Sequence, residues 1–212
     1  MKKEIKKYWN NYYKEKKYNR NPSNFSYFIS KKYLNKNNIL MDIGTGDGRD
    51  AFHFAPKVKF IYGIDISNVA IKNNNKQAKL LNLKNISFKN ISIIDLNKIK
   101  NKKVNFIYGR FFLHAIDNMK EKIFLNNLKK YFNRGTFVAL EFRTTRDKLI
   151  KLGKKISKYE RITDHYRRFI NVKNLEKKLK TKNFKIIYKK QGTNLSKTKN
   201  ENPHLCRLIF KI

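Results

Sequence analysis

An acid and three alternate glycines stand together early in the chain, as Asp42, Gly44, Gly46 and Gly48. The acid ends a short apolar run typical of a strand, and a helix is expected to begin at the last glycines. Residues without a Cβ let the backbone turn tightly and let a ligand lie against main-chain amides. The helix N-terminus adds free N–H groups and a partial positive charge. The pattern predicts a nucleotide-type binding site, the alternative being a glycine-rich turn of no special function.

The spacing of the glycines separates two kinds of nucleotide site. A dinucleotide fingerprint, G-x-G-x-x-G from Gly44, would need a glycine where Arg49 stands, and here the third glycine comes one residue early. Asp42 at the strand tip would repel a pyrophosphate but suits a cationic ligand. An acid followed by G-x-G-x-G resembles the first motif of the class I S-adenosylmethionine-dependent methyltransferases. The resemblance implies S-adenosylmethionine as cofactor, which carries a sulfonium and an ammonium but no phosphate.

A second acid, Asp65, ends the next expected strand, 21 residues after Gly44. From there a carboxylate can accept both ribose hydroxyls of an adenosine, although the same acid serves NAD and an ordinary strand-end acid is the alternative. The family often has an acid four residues after a phenylalanine such as Phe88. Here that position is Ser92, so either Ser92 with backbone amides or Asp95 would hold the adenine. The predicted cofactor-binding residues are Asp42, Gly44, Thr45, Gly46, Gly48, Asp50, Asp65, Ile66, Ser92 and Arg110.

Further runs extend the resemblance over nearly the whole chain. They are Tyr8-Trp9-x-x-Tyr12-Tyr13, Pro22-Ser23-x-Phe25, Tyr108 to Ile116, Glu141-Phe142-Arg143-Thr144 and His165 to Ile170. Together they resemble a smaller group of bacterial methyltransferases often associated with cell-surface polysaccharide gene clusters. That group brings no settled catalytic assignment. The aromatic residues Trp9, Tyr12 and Tyr13 would either form a lid over the site or only pack an N-terminal helix onto the sheet.

The arginines indicate the chemistry of the second substrate. Five of the ten arginines stand at positions 110, 143, 146, 167 and 168, in a chain that otherwise uses lysine. A planar guanidinium binds a carboxylate or phosphate through two hydrogen bonds, so the clustering predicts an anionic substrate. For Arg146 and Arg168 a role in surface charge alone remains the alternative. The predicted substrate-binding residues are Tyr13, Arg110, Arg143, Tyr166 and Arg167.

Two histidines are the candidate catalytic groups. His114 is the preferred general base and His165 the second, because histidine titrates near neutral pH. The alternative for His114 is a hydrogen-bonded residue at the start of a helix. A phosphate or carboxylate acceptor is already ionised and would need no base, in which case His114 would only orient it.

Strand and helix patterns alternate along the chain and predict the scaffold. Strands are expected before Asp42 and at 60–65, 86–91, 104–108, 136–142, 184–188 and 204–212. Helices are expected at 47–55, from Ser67 to about Asn82, at 120–132, and at 172–181 after Asn171. The alternation predicts an α/β, Rossmann-like, doubly wound seven-stranded sheet, mostly parallel. The last two strands lack a helix between them and should pair antiparallel, as in the methyltransferase sheet.

Length and composition limit the number of domains and the classes of partner that the chain can have. The 212 residues and 40% apolar content predict one methyltransferase domain over 1–212, with 1–35 as an N-terminal lid or cap and 143–170 as a substrate-side insertion. A net charge of +36 allows a nucleic-acid partner, but the lysines are scattered and an AT-biased genome explains most of them. The lone Cys206 excludes an internal disulfide and nothing indicates a metal site. Without a signal peptide or membrane span, a soluble cytoplasmic protein is expected.

The leading functional hypothesis is methyl transfer from S-adenosylmethionine to a small anionic metabolite or surface-glycan precursor, most simply on oxygen. An RNA or protein methyltransferase recruited by the basic surface is the second hypothesis. The chain has no N-P-P-Y-type tetrad for flipped bases and no appended RNA-binding module, so nucleic acid is not favoured. A third reading is a nucleotide-binding protein without activity, against which the intact set of glycines and acids argues. The oligomeric state does not follow from the sequence.

Overall fold

The computed structural model describes residues 2–15, 21–99, 103–198 and 200–212, so residue 1 and residues 16–20 of the expected N-terminal cap lie outside it. Seven strands form one sheet: β1 (Ile39–Ile43), β2 (Phe60–Asp65), β3 (Ile86–Asn90), β4 (Phe106–Arg110), β5 (Phe137–Arg143), β9 (Lys185–Gly192) and β10 (Leu205–Lys211). Their order is β3-β2-β1-β4-β5-β10-β9. The first five strands are parallel, and β10 runs antiparallel between β5 and β9. The predicted fold class is confirmed.

The order of the strands locates a crevice. The chain starts at the centre with β1, moves outward to β3, and then returns to place β4 on the other side of β1. Crossovers therefore leave in opposite directions from β1 and β4, and a gap opens above their carboxyl ends. In open α/β sheets ligands bind at this switch point.

Helices cover both faces of the sheet. They are α1 (Lys2–Glu15), α2 (Asn24–Lys32), α3 (Arg49–Phe54), α4 (Asn68–Leu80), α5 (Asn118–Tyr131) and α6 (Val172–Lys180), with short 3₁₀ turns between some elements. Adjacent β1 residues point to opposite faces: Leu40 packs with Phe54 and Phe106, and Met41 packs with Phe124 and core residues from α5 and α6. Both cores are free of solvent, which holds the carboxyl ends of the strands in fixed positions.

Most boundaries agree with the sequence patterns to within a few residues, and two differences have clear causes. The helix after the glycines begins at Arg49 rather than at residue 47, because Gly48 is its N-cap with a left-handed φ of 74°. The fourth strand lies at Phe106–Arg110 rather than at 104–108, because Arg110 pairs in register with Glu141 of β5. As expected, Ser67 caps α4 by accepting the Ala70 N–H.

The segment between β5 and α6 contains structure that the sequence patterns did not indicate. Three short strands, β6 (Lys154–Ser157), β7 (Glu160–Ile162) and β8 (Tyr166–Arg168), form a separate antiparallel sheet. The end of this segment returns to β5 through a bridge between Thr144 and Ile170. Within the described ranges, no helix is both long enough and apolar enough to cross a membrane, and no cluster of three metal-ligating side chains occurs.

Candidate functional site

A cavity of about 560 Å³ opens above the carboxyl ends of β1, β2 and β4, at the switch point of the sheet. Its acidic side follows β1 and β2 and includes Asp42, Gly44, Thr45, Gly46, Asp47, Asp50, Asp65 and Ile66. Its basic side follows β4 and includes Arg110, Phe111 and Lys120. Helix α1 covers the opening with Ile5, Lys6, Trp9, Tyr12 and Tyr13. One cavity thus has four carboxyl groups along one side and Arg110 and Lys120 along the other.

The glycine loop has the conformation that its sequence requires. Gly44, Gly46 and Gly48 have φ values of 67°, 54° and 74°, in the left-handed region. A Cβ on Gly46 would overlap with the hydroxyl of Tyr13, which lies against the loop from α1. The Gly46 carbonyl accepts a hydrogen bond of 2.8 Å from the buried Asn74 amide, so α4 holds the loop from behind. Gly48 caps α3 and does not line the cavity.

The two acids singled out by spacing are both buried in the acidic side. Asp42 accepts the Thr45 hydroxyl at 2.6 Å, and burial together with the neighbouring acids raises the pKa of its carboxyl to about 8. Asp65 accepts the backbone N–H groups of Gly46 at 3.0 Å and Ser67 at 2.8 Å, and burial raises its pKa despite these bonds. A cation bound here would offset the cost of ionising both groups.

Asp50 has several protein partners. Its carboxylate accepts the Ser23 N–H and hydroxyl, both at 2.8 Å, and the Tyr108 hydroxyl at 2.7 Å. It therefore ties the start of α2 to α3 and β4 while also lining the cavity. The sequence patterns predict no role for Tyr108. Its signal was a single phenol within an apolar strand, which needs a buried partner.

The structure also separates the two candidates for the adenine position. Ser92 lines the cavity and caps the 3₁₀ turn that follows β3. Asp95 lies off the cavity lining, with its side chain 42% exposed and 4.0 Å from the Lys98 ammonium. Ile66 lines the same wall. By position, Ser92 rather than Asp95 is the group within reach of a ligand.

Arg110 is the predicted substrate-binding arginine that reaches the cavity. Its Nε donates to Glu141 Oε1 at 3.0 Å, and its guanidinium carbon lies 4.0 Å from the centre of the Phe111 ring. Glu141 is fully buried and also accepts Arg207 at 2.7 Å and the Ser196 hydroxyl at 2.9 Å. Two guanidinium groups thus share one carboxylate, which leaves the cluster with a positive charge beside the cavity.

Of the other predicted substrate-binding residues, Tyr13 lines the cavity from α1, whereas Arg143, Arg167 and Tyr166 do not line it and have carboxylate partners. Arg143 donates to Asp147 at 2.9 Å and Glu201 at 2.5 Å. Arg167 pairs with Asp164 and Tyr166 donates to Glu160 at 2.6 Å. Arg168, left open between surface and site, is buried and pairs with Glu121. Substrate binding by these residues stays a prediction, because the side chains that they contact belong to the protein.

His114 and His165 both stand just outside the cavity lining. His114 is 4% exposed, and its Nδ1 accepts the Arg143 backbone N–H at 3.2 Å. Burial, reinforced by nearby guanidinium groups, holds its pKa well below the usual 6.5. His165 contacts the Tyr8 hydroxyl and Asp164 through Nδ1, and burial also lowers its pKa. Their function as bases stays a prediction.

Helix α1 connects the cavity to the rest of the molecule. The Trp9 ring stacks on Tyr13 at a centroid distance of 6.0 Å and lies 5.1 Å from the His165 ring. Asn10 accepts the Ser67 hydroxyl at 2.9 Å. The aromatic residues pack against one another and line the cavity, and their role as a lid stays a prediction.

Comparison with known proteins agrees with this geometry. The family model described as "Methyltransferase domain" matches residues 34–200. An S-adenosylmethionine-dependent methyltransferase from Clostridium acetobutylicum has a TM-score of 0.71 at 17% identity, over 89% of this chain and 91% of that chain. One from Methanosarcina mazei has a TM-score of 0.74 at 18% identity, over 86% and 96%. Comparison with curated protein sequences gives no significant match.

A larger enzyme provides a ligand-bound neighbour. Phosphoethanolamine N-methyltransferase 1 of Haemonchus contortus, in complex with phosphoethanolamine and S-adenosylhomocysteine, has a TM-score of 0.73 at 15% identity. The alignment covers 99% of this chain and 48% of that one. At such identities the likeness concerns the fold.

The residues in the cavity suit S-adenosylmethionine. Four carboxyl groups, of Asp42, Asp47, Asp50 and Asp65, face one side of the cavity, which favours a cationic ligand over a pyrophosphate. When bound, this cofactor supplies a methyl group activated by a positively charged sulfur. The acids would hold its charged and hydroxyl groups, and the glycine loop would lie against it. The fold, the family match over most of the chain and this acidic side lead to one conclusion: the chain belongs to the methyltransferase-domain family and is a class I S-adenosylmethionine-dependent methyltransferase.

Proposed function

We propose that the enzyme methylates an oxygen atom of a small anionic molecule, either a metabolite or a precursor of a surface glycan. The observation that carries this proposal is the position of Arg110 at the basic side of the cavity. Its counter-ion Glu141 is shared with Arg207, so the cavity wall keeps a net positive charge. Lys6 and Lys120 line the same cavity, and Lys120 forms an ion pair with Asp117. An anion entering this space meets cations that are only partly neutralised.

Methylation on oxygen is supported by what the lining offers. Among the lining residues in the described part of the chain there is no histidine, and the acids lie on the opposite side of the cavity. A hydroxyl acceptor needs a base to take its proton, whereas a carboxylate or phosphate oxygen is ionised at neutral pH. An acceptor of the latter kind needs positioning and exclusion of water, and α1 with its aromatic side chains provides a cover for this purpose.

A surface-glycan precursor is proposed from the resemblance of particular runs, and two of them meet in space. Tyr8 of the aromatic run contacts His165 of the His165 to Ile170 run, with their ring centres 5.0 Å apart. Both lie next to Trp9, which lines the cavity. Two of the runs that suggested the polysaccharide-associated group therefore meet beside a residue that lines the cavity, which supports the proposal.

The test is a methyl-transfer screen with the full chain against phosphorylated, carboxylated and neutral sugars and metabolites. We expect turnover of anionic acceptors, a strongly raised KM in Arg110→Met, and an unchanged KM in Arg146→Gln, which removes an exposed arginine. Turnover confined to neutral acceptors would overturn the proposal. Turnover of RNA or protein with a steep loss of affinity at high salt would replace it with the second hypothesis.

A further inference from the structure

We propose that the enzyme binds the anionic group of its acceptor at a subsite formed by the Arg110 guanidinium and the Nε2–H group of His114, both of which lie near the Phe111 ring. The inference rests on the proposed anionic acceptor and specifies where its carboxylate or phosphate oxygens lie. It gives His114 the role of a hydrogen-bond donor and so a different chemistry from that of a general base.

The tautomer of His114 follows from its one hydrogen bond. The Arg143 backbone N–H donates to Nδ1 at 3.2 Å, so Nδ1 must be unprotonated and the neutral ring carries its proton on Nε2. A base needs a free lone pair, and this ring has none, since one is used by Arg143 and the other nitrogen is protonated. What remains is a donor.

The environment of His114 keeps the ring neutral. The side chain is buried, and the charged groups that act on it are Arg143, Arg167 and Arg110, together with His165. Each of these opposes a further positive charge. The arginines attract an anion, and the neutral His114 ring can donate a hydrogen bond to it.

The donor has no partner within the described residues. Nε2 of His114 makes no hydrogen bond to any of these residues. Among their buried side-chain nitrogen and oxygen atoms, the one without a hydrogen-bond partner is Oδ1 of Asn74. Nε2 therefore borders open space and not packed protein. An N–H group that is accessible and has no protein partner can donate to an oxygen of a bound acceptor.

Phe111 joins the two halves of the subsite. Its ring centre lies 4.0 Å from the guanidinium carbon of Arg110 and 5.2 Å from the ring centre of His114. Its φ of 58° is unusual for an aromatic residue, and such strain persists where the surroundings impose it. Only Nε of Arg110 is bonded within the described residues, to Glu141, so the terminal nitrogens of this cavity-lining side chain are available for an anion.

The first experiment measures binding without turnover. The full chain, saturated with S-adenosylhomocysteine, is titrated calorimetrically with inorganic phosphate at constant ionic strength. We expect saturable binding by the wild type, weakened about tenfold or more by Arg110→Lys, which lacks the paired N–H groups of a guanidinium, and by His114→Phe, which has no donor. His114→Gln places an amide N–H near the position of Nε2 and should retain most of the affinity. The matched controls Arg146→Gln and His53→Gln should bind as the wild type does.

A second measurement does not depend on the folding of any variant. Side-chain ¹⁵N NMR of the wild type should show His114 as the neutral Nε2–H tautomer from about pH 6 to about pH 8, with the Nε2–H signal shifting as phosphate is added. Equal phosphate affinity in Arg110→Lys, His114→Phe and wild type would overturn the subsite. So would an Nδ1–H or charged His114, or no saturable phosphate binding by a protein that binds S-adenosylhomocysteine.

These results separate the subsite from the proposed function. If anionic acceptors are methylated with the same KM by the wild type and by Arg110→Lys and His114→Phe, the subsite is wrong and the proposed function stands. If only neutral acceptors are methylated, the proposed function is wrong, whatever the affinity for phosphate.

Discussion

The hydroxyl of Tyr8 lies 3.0 Å from Nδ1 of His165 and 3.1 Å from Oδ2 of Asp164. These contacts join helix α1 to the small sheet formed by the segment between β5 and α6. The residues that they join are more than 150 positions apart in the sequence. Burial and the neighbouring carboxylate raise the pKa of Tyr8 to about 12, so the phenol remains a donor at neutral pH. Helix α1 and the segment between β5 and α6 are therefore in direct contact.

Trp9 allows the protonation of His165 to be followed by fluorescence. It is the single tryptophan of the chain, and its ring lies 5.1 Å from that of His165. Burial and Arg167 lower the pKa of His165 although Asp164 opposes them, so we expect the emission to titrate with a midpoint below 6.5. His165→Gln should remove this transition, whereas His53→Gln should keep it. A midpoint above 6.5 would contradict the assigned environment.

The lowered pKa values of the histidines also predict how stability depends on pH. A histidine whose folded-state pKa lies below 6.5 binds its proton more readily in the unfolded chain. Stability from the neutral ring is therefore present above about pH 6.5 and is lost as the pH falls. Because the buried acids Asp42 and Asp65 act with the opposite sign, the histidine contribution is measured as a difference between variants. Between about pH 7 and about pH 5 the free energy of unfolding of the wild type, measured by denaturant unfolding, should fall relative to that of His114→Gln. A constant difference would contradict the prediction.

Asp42 should make the free energy of unfolding depend on pH with the opposite sign. Its pKa of about 8 in the folded chain exceeds the ordinary 3.8, so the unfolded chain releases the proton more easily. Without ligand, the contribution of Asp42 to stability is greatest at low pH and declines as the pH rises toward about 8. Asp42→Asn should therefore raise the melting temperature of the ligand-free protein at neutral pH. It should also reduce the further rise that S-adenosylhomocysteine produces, measured by thermal denaturation, and an unchanged rise would argue against the acid as a ligand.

Gly46 should be sensitive for two separable reasons. Its φ of 54° disfavours any side chain, and a Cβ would also displace the Tyr13 hydroxyl. Gly135 has a similarly unfavourable φ of 90° but nothing within 4 Å of an added Cβ. Both Gly46→Ala and Gly135→Ala should lose roughly 1 kcal/mol of stability from strain. Only Gly46→Ala should weaken S-adenosylhomocysteine binding and change Trp9 emission. Equal binding by the two variants would contradict the close packing of α1 on the loop.

Asp65 should contribute more to the affinity for the cofactor than Asp95 does. Asp65 is buried and faces the cavity, whereas Asp95 is half-buried and lies off the lining. Asp65→Asn should lower the affinity for S-adenosylhomocysteine by about tenfold or more, since it removes a charged acceptor. Calorimetry on Asp95→Asn provides the matched control and should give the wild-type affinity. If Asp95→Asn has the larger effect, the adenine and ribose positions are misassigned.

Arg143 should be important for stability. Its guanidinium joins Asp147 to Glu201, and removing it leaves the buried Asp147 carboxylate without its cation. Arg143→Ala should lower the free energy of unfolding by about 3 kcal/mol, the usual cost of breaking a buried pair. Lys98→Ala breaks an exposed pair with Asp95 and should cost less than about 0.5 kcal/mol. A stable Arg143→Ala variant with weakened acceptor binding would instead support a direct role toward substrate.

The sequence by itself determined the cofactor side of this enzyme. Asp42 and the three glycines follow one another along the chain, and Asp65 ends the next strand, so their relative positions depend on local turns and on the parallel register of two neighbouring strands. Hydrophobic alternation and caps such as Ser67 were enough to place the strands and helices to within a few residues. These features are local, and local rules predicted them.

Only the tertiary structure decided which arginines face the acceptor. Arg110, Arg143 and Arg167 look alike in the sequence, but Arg110 alone lines the cavity while the other two meet carboxylates of the protein. The partner Glu201 is 58 residues from Arg143 along the chain. The packing of the loops and the small sheet determines which residues so distant in sequence become partners. Once buried, these charges must be paired, because transferring an unpaired charge out of water costs much free energy.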